Sequence, residues 1–231
     1  MPTSKGEYVI GVCKPWPQSD HTKITPFDSI YTLCVDVNAD GLTYKEDDTG
    51  KVLFVDALLL WGGEDIHSSL YGKTGAIKNQ AKGEFPSNRD TVEWWAIHEA
   101  HIHNIPIIGV CRGAQILCAF AGGSLYQHVT HHNTAHKITT YSGEIFAPSA
   151  GHHQMMNVST VEHELLAWNS GIKSTEYHID RLLIEHFVDK EPEVVWFPKI
   201  KGLAIQPHPE WEPEPSNFNE WILTEIMERM L

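Results

Sequence analysis

Residues 105–115 read Ile105-Pro106-Ile107-Ile108-Gly109-Val110-Cys111-Arg112-Gly113-Ala114-Gln115. The first six are short, apolar and rich in β-branched side chains, as expected of a buried strand. A helix is expected to follow at once from Gly113 to Phe120 and to stop at Gly122-Gly123. Between the two elements, Gly109 and Gly113 flank Cys111 in a Gly-x-Cys-x-Gly spacing. A strand that turns this sharply into a helix brings the side chains two before and two after the central residue into collision, so both positions call for glycine. The central residue then sits at a helix N-terminus. There the positive end of the helix dipole and free N–H groups favour a thiolate and can bind an oxyanion. Cys111 is therefore the candidate nucleophile.

Working outward, apolar runs alternate with helix-like stretches, the pattern of an α/β fold with a mainly parallel sheet. Tyr8–Val12 reads as the first strand, residues 26–37 as a first helix, and Asp56–Trp61 as a strand stopped by Gly62-Gly63. Asp90–His103 reads as a helix, with Asp90 as its cap and Glu93 as the reciprocal residue of a capping-box-like start. Lys137–Tyr141 and Glu144–Phe146, joined by Ser142-Gly143, predict a small hairpin. Arg181–Glu185, Val194–Phe197 and Gly202–Gln206 are further strand candidates. Phe218, Ile222, Ile226 and Met230 recur at spacing four on a C-terminal helix, leaving Glu220, Glu225 and Glu228 for the wet side. Residues 207–215, rich in proline, read as a rigid loop into that helix. No linker-like stretch divides the chain, so one domain over residues 1–231 is expected.

The chain has 231 residues, 17 Lys+Arg against 30 Asp+Glu, and a net charge of −13. Such a chain is repelled by phosphate backbones and by anionic lipid heads, which argues against nucleic-acid and membrane partners. With 42% apolar and 20% charged residues, it can bury a sizeable core. Its longest apolar run, Ala57–Trp61, is far below the ~20 residues that span a bilayer. The first residues lack a hydrophobic stretch of signal-peptide type. Four cysteines do not make a disulfide scaffold in a chain of this length. A cytoplasmic protein with reduced thiols is expected.

A thiolate nucleophile needs a base, and the base an orienting carboxylate. Gln206-Pro207-His208-Pro209-Glu210 supplies both. In an extended segment side chains alternate, so His208 and Glu210 point the same way, and the flanking prolines resist helix. Oxyanion donors are expected from the main-chain N–H of Arg112 and from the Gly62-Gly63 turn, at the carboxyl end of a parallel strand. On this reading the Arg112 side chain is more replaceable than Gly113, and Arg112→Ala is expected to retain much of its rate. The remaining histidines do not suggest metal. His98, His101 and His103 with Glu99 read as a solvated helix face, and His128, His131, His132 and His136 as a polar loop. Cys13, Cys34 and Cys118 read as buried thiols, and Trp94-Trp95 as helix packing.

At these residues the chain resembles the class I glutamine-amidotransferase-like hydrolases. Within that superfamily it is most similar to the gamma-glutamyl peptidase branch, which includes gamma-glutamyl-gamma-aminobutyrate hydrolase. The matching pieces are Gly62-Gly63-Glu64-Asp65, Arg89-Asp90 with Glu93, Gly109 to Gln115, Gly122 to Gln127, His152-His153-Gln154 and His208-Pro209-Glu210. The resemblance implies a flavodoxin-like fold with helices on both faces of the sheet. It implies Cys111 as nucleophile, His208 as base and Glu210 as its orienter, with Arg112 and the turn at Gly62 and Gly63 as main-chain oxyanion donors. It places Gln115, His153 and Gln154 around the substrate. It implies hydrolysis of a gamma-glutamyl amide through a thioester, with no metal or organic cofactor. Two alternatives stay open: a glutaminase subunit that passes ammonia to a separate synthetase partner, and a binding module with a decayed site. Two departures fall beside the pocket. The residue before the catalytic histidine is commonly Trp in this branch and is Pro207 here. Pro148-Ser149-Ala150-Gly151 is also smaller than the branch leads one to expect, and a more open leaving-group side is expected.

Overall fold

In β4 (Ala57–Leu60), β5 (Ile107–Val110) and β15 (Gly202–Ile205) every residue is buried. Strands without a polar face must be covered on both sides, which is the situation of a parallel sheet between helices. The computed structural model describes residues 9–14, 31–38, 41–43, 56–73, 78–81, 83–180, 182–184, 188–213 and 215–230. The buried strands lie side by side and parallel, with β4 against β5 and β5 against β15. β1 (Val9–Lys14) and β2 (Tyr31–Asn38) continue the parallel run on the β4 side.

β3 (Gly41–Thr43) closes that edge antiparallel. On the other edge the sheet turns antiparallel through β14 (Pro192–Phe197), β11 (Glu164–Asn169), β8 (Ile138–Thr140) and β9 (Ile145–Phe146). The ten-stranded order is β3-β2-β1-β4-β5-β15-β14-β11-β8-β9. Two small sheets lie outside it. One pairs β6 (Ser124–Tyr126) with β10 (Met155–Asn157). The other joins β7 (His128–Val129), β12 (Tyr177–Ile179) and β13 (Leu182–Ile184).

The helices cover both faces of the sheet, as a flavodoxin-like fold requires. Ala96, Ile97 and Ala100 of α1 (Asn88–Ile102) and Ile116 and Leu117 of α2 (Arg112–Phe120) pack with Leu58, Leu60 and Ile107. Phe218, Ile222 and Ile226 of α3 (Asn217–Met230) pack with Leu59, Ile108 and Ile205 on the opposite face. Among the described residues no helix is long and apolar enough to cross a membrane.

Several sequence expectations are corrected. Residues 31–37, expected in a helix, form β2 instead. Tyr31, Thr32, Val35 and Val37 suit a pleated strand, and pairing with β1 from Val9↔Tyr31 to Lys14↔Asp36 decides it. Residues 26–30 and the acidic Glu46-Asp47-Asp48 lie outside the described residues, as do the side chains of Cys13 and Cys34. The cap of α1 is Ser87, whose hydroxyl accepts from Asp90 N–H at 3.1 Å while the Asp90 carboxylate accepts from Ser87 N–H at 2.9 Å. Asp90 is thus the reciprocal residue of the box, which leaves Glu93 to other partners. On α3, Glu220 and Glu228 face solvent, but Glu225 is buried and accepts from Arg229 Nε at 2.7 Å. It follows Ile222 by three residues and so falls on the apolar stripe, where a charge persists only if paired.

The turn at Cys111 has no spare volume. A Cβ on Gly109 would overlap the Gly113 carbonyl, and one on Gly113 would overlap the Leu60 carbonyl. Both obstacles are backbone and cannot swing aside. Gly113→Ala should therefore cost about 3 kcal/mol or more, and Gly113→Val should fail to fold. Urea unfolding of the purified variants measures this, and wild-type stability in Gly113→Ala would show that the turn can open.

Candidate active site

The carboxyl ends of β4, β5 and β15 deliver the candidate residues to one place. Gly62-Gly63 follows β4, Cys111 follows β5 and His208 follows β15. Ligands of open parallel sheets bind at this end of the strands. Cys111 has φ 49° and ψ −102°, a strained conformation for a side chain with a Cβ. The strain is held on both sides. Cys111 N–H donates to the Ile205 carbonyl at 2.7 Å, and Gln115 N–H donates to the Cys111 carbonyl at 3.1 Å.

Gly62 lies between the other two groups. A Cβ built on it would stand 2.9 Å from His208 Cε1 and 3.4 Å from Cys111 Cβ. Gly63 adopts φ 148°, which favours glycine. His208 Nδ1 is 2.7 Å from Glu210 Oε1, so the ring donates from Nδ1 and leaves Nε2 with its lone pair.

One face of His208 is covered. The indole of Trp211 stacks on the imidazole at 3.6 Å between centroids, with 6° between the planes. Gly151 makes this possible, since a Cβ there would be 3.1 Å from the Trp211 ring.

Arg112 also departs from expectation. Its guanidinium is 2% exposed and ion-paired to both Asp90 and Glu93. Glu93 in turn accepts from Arg89 Nε at 2.7 Å. Arg89 donates to the carbonyls of Trp61 at 2.9 Å and Gly62 at 3.0 Å. The first residue of α2 is thus tied through α1 to the turn after β4, a structural role for the side chain that a main-chain oxyanion donor does not require. The Arg89-Asp90…Glu93 motif carries the signal for it, as a charged set within one helical turn.

A cavity of about 600 Å³ opens above Cys111, with Gly63, Asp65, Gln115, His153 and Gln154 in its wall. His153 Nε2 is 3.0 Å from Asp65 Oδ1, and Asp65 Oδ2 accepts from Gln80 N–H at 2.6 Å. Asp65 and His152, also in the wall, belong to the sequence motifs but are not marked by them as site residues. His98, His101 and His103 are exposed, as expected. The polar-loop reading fails for His132 and His136, which are buried. Trp94 packs edge-on against Phe120, whereas Trp95 is exposed.

The electrostatics of Cys111 oppose a resting thiolate. Burial pushes the thiol up to about 12, and the Glu210 carboxylate adds to this, against the Arg112 N–H, which favours the anion. Cys118, within α2 and in the core, is raised to about 12 by its own burial and does not line the cavity.

The peptidase C26 family model matches residues 41–182. The chain belongs to the peptidase C26 family. His208 and Glu210 lie beyond the matched segment. The peptidase C26 chain is 29% identical over 219 residues to a glutamine amidotransferase-like protein of Lactococcus lactis, covering 90% of this chain and 88% of that one. It is 35% identical over 104 residues to a Schizosaccharomyces pombe protein assigned by name to the glutamine amidotransferases. That match spans 39% of this chain and 40% of the yeast protein's length. In structure it resembles a GMP synthase subunit of Thermoplasma acidophilum, with a TM-score of 0.58 and 15% identity over 97% of this chain and 94% of that one. At that identity the likeness shows the fold. The sequence relatives place the chain among hydrolase- and glutamine amidotransferase-type enzymes.

Two outcomes follow from this site. Arg112→Ala removes the ion pair of buried Asp90 and leaves Glu93 to Arg89 alone, and should lower stability by about 3 kcal/mol, read as a shift in the urea midpoint. An unshifted midpoint would mean that Asp90 and Glu93 find other partners. Alkylation of Cys111 by iodoacetamide should rise roughly tenfold per pH unit from pH 7 to 9 without a plateau, because a thiol raised to about 12 is titrating far below its midpoint. Cys118 should stay unlabelled in the folded protein. A rate already level at pH 7 would indicate a standing thiolate.

Proposed function

We propose that this peptidase C26 chain hydrolyses gamma-glutamyl amides by a Cys111–His208–Glu210 mechanism. The observation that carries the reading is the meeting around Gly62 of Cys111, in the cavity wall, and a Glu210-oriented His208. The thiol arrives protonated. As Sγ attacks the side-chain amide carbon, its proton passes to Nε2 of His208, while Nδ1–H stays bonded to Glu210. The carbonyl oxygen becomes an oxyanion facing the N–H groups of Arg112 and of the Gly63 turn. His208 then gives its proton to the departing nitrogen, the C–N bond breaks, and a gamma-glutamyl thioester remains. Water loses a proton to His208 and attacks the thioester. The C–S bond breaks, glutamate leaves, and Sγ regains the proton.

The wall has groups suited to the invariant half of such a substrate. Glu64 and Asp65 can take its α-ammonium, and Gln115, His153 and Gln154 can meet its α-carboxylate. The Trp211 face beside His208 limits the leaving-amine side. The runner-up is a glutaminase subunit feeding a separate synthetase, and it rests on the amidotransferase-type relatives and the synthase-subunit neighbour.

A panel of gamma-glutamyl amides, including glutamine, separates the two readings, with glutamate release as readout. The protein alone should turn over several members. His208→Ala should lower kcat by about 10³-fold, and Cys111→Ala should abolish turnover. Glu210→Gln should retain more activity than His208→Ala, since it removes the orienter and keeps the base. Silence on the whole panel, followed by glutamine cleavage once a synthetase is added, would favour the subunit reading. Wild-type turnover in a folded His208→Ala would remove the mechanism altogether.

A further inference from the structure

Beneath the cavity wall, three histidines converge on one carboxylate. The loop after β7 supplies His132 and His136, the segment before β10 supplies His152, and β14 supplies Glu193. One ring nitrogen from each histidine and one Glu193 oxygen all lie within 4.8 Å of one another. His136 Nε2 is 2.9 Å and His132 Nδ1 3.0 Å from Glu193 Oε1, and His152 Nε2 is 3.5 Å from Oε2. All four residues are buried, with His132 and Glu193 at 0% exposure.

The opposite ring nitrogens decide how this cluster is read. His136 Nδ1 is 2.9 Å from the Thr134 carbonyl, and His152 Nδ1 is 2.8 Å from the Gln154 carbonyl. His132 Nε2 is 3.3 Å from Glu191 Oε2. Carbonyls only accept, so the outer nitrogens of His136 and His152 carry hydrogens. With those two rings neutral, their inner nitrogens are lone pairs directed at the Glu193 carboxylate. Both ring nitrogens of His132, together with His152 Nε2 and Glu193 Oε2, are buried without a hydrogen-bond partner. Polar atoms left unpartnered at such depth are costly.

We propose that His132, His136, His152 and Glu193 form a structural site for a divalent transition metal of the zinc type. Three imidazoles and one carboxylate are a borderline-soft set that suits zinc rather than magnesium or calcium, which seek oxygen. Four ligands at zinc bond lengths of ~2.0–2.1 Å stand about 3.3 Å apart; the contacts to Glu193 are 2.9–3.5 Å, and with all four ligand atoms within 4.8 Å of one another the rings need only draw in around an ion. The outer shell has the form that fixes metal-binding histidines: two backbone carbonyls and a carboxylate. Glu191 is itself held by Tyr177 Oη at 2.6 Å, Asn169 Nδ2 at 2.7 Å and Ser174 N–H at 2.8 Å. The charges of Glu191 and Glu193 balance a divalent ion. With four protein ligands and no exposed face the site is closed, so its role is mechanical. It pins the segment that continues into His153 and Gln154 onto β14. The metal site stands independently of the proposed gamma-glutamyl activity.

The test is metal content. Full-length protein grown with added zinc and desalted without chelator should hold about one zinc per chain by mass spectrometry. Stripped and reloaded with cobalt(II), it should show the intense visible bands of a tetrahedral ion. His136→Ala and Glu193→Gln should lose the metal, while Cys111→Ser, which removes the only described cavity thiol, should keep it. Stripping should also lower the melting temperature of the wild type. That pair of wild-type readings decides the matter if the ligand variants do not fold. Wild type without stoichiometric zinc after incubation with it, or zinc lost from Cys111→Ser and retained in His136→Ala, overturns the site.

Discussion

The backbone at Gly113 lies so close to that of Gly109 and Leu60 that neither glycine can carry a methyl group. From this contact the rest of the site follows. It forces the chain from β5 into α2 without a loop, and it forces Cys111 to φ 49°. A side chain in that conformation is costly by itself and persists only where its surroundings fix it. Here the bond from Cys111 N–H to the Ile205 carbonyl continues the β5–β15 ladder past the last strand residue. The strained residue is thus an extension of the sheet, in line with the strand that leads to His208.

Buried charge does the rest of the positioning. Arg112 and Arg89 share Glu93, and Arg89 reaches the carbonyls around Gly62. The elbow and the glycine turn are separate in sequence and are locked through the start of α1. Burying so many charges is a poor route to stability, because desolvation offsets the attraction. What it secures is a single geometry, since removing any partner leaves another charge stranded. Under the cavity wall, Glu191 and Glu193 likewise gather three histidines around buried charge.

His208 is held in two ways. Glu210 bonds its Nδ1, and Trp211 stacks flat on the ring. Gly151 gives the indole its room. Residues 151 and 211 are distant along the chain and meet in space beside the histidine.

The parallel core is legible in the chain alone. Ala57–Leu60, Ile107–Val110 and Gly202–Ile205 have no polar face, and such runs have one stable home. The elbow is legible too, because two glycines around a cysteine state a steric requirement that is local. The pairing of His208 with Glu210 is legible for the same reason, as alternation in an extended segment is local geometry. Features set by distant partners emerge on folding and not before. β2 reads as helix in sequence because its neighbour β1 is not visible in its own residues. Glu225 reads as solvated, and Arg112 as replaceable, because their partners Arg229, Asp90 and Glu93 declare themselves only in the folded chain. His132, His136 and His152 are scattered along the sequence. They become a cluster only because β14 brings Glu193 beneath them, and no spacing rule within the chain encodes that meeting.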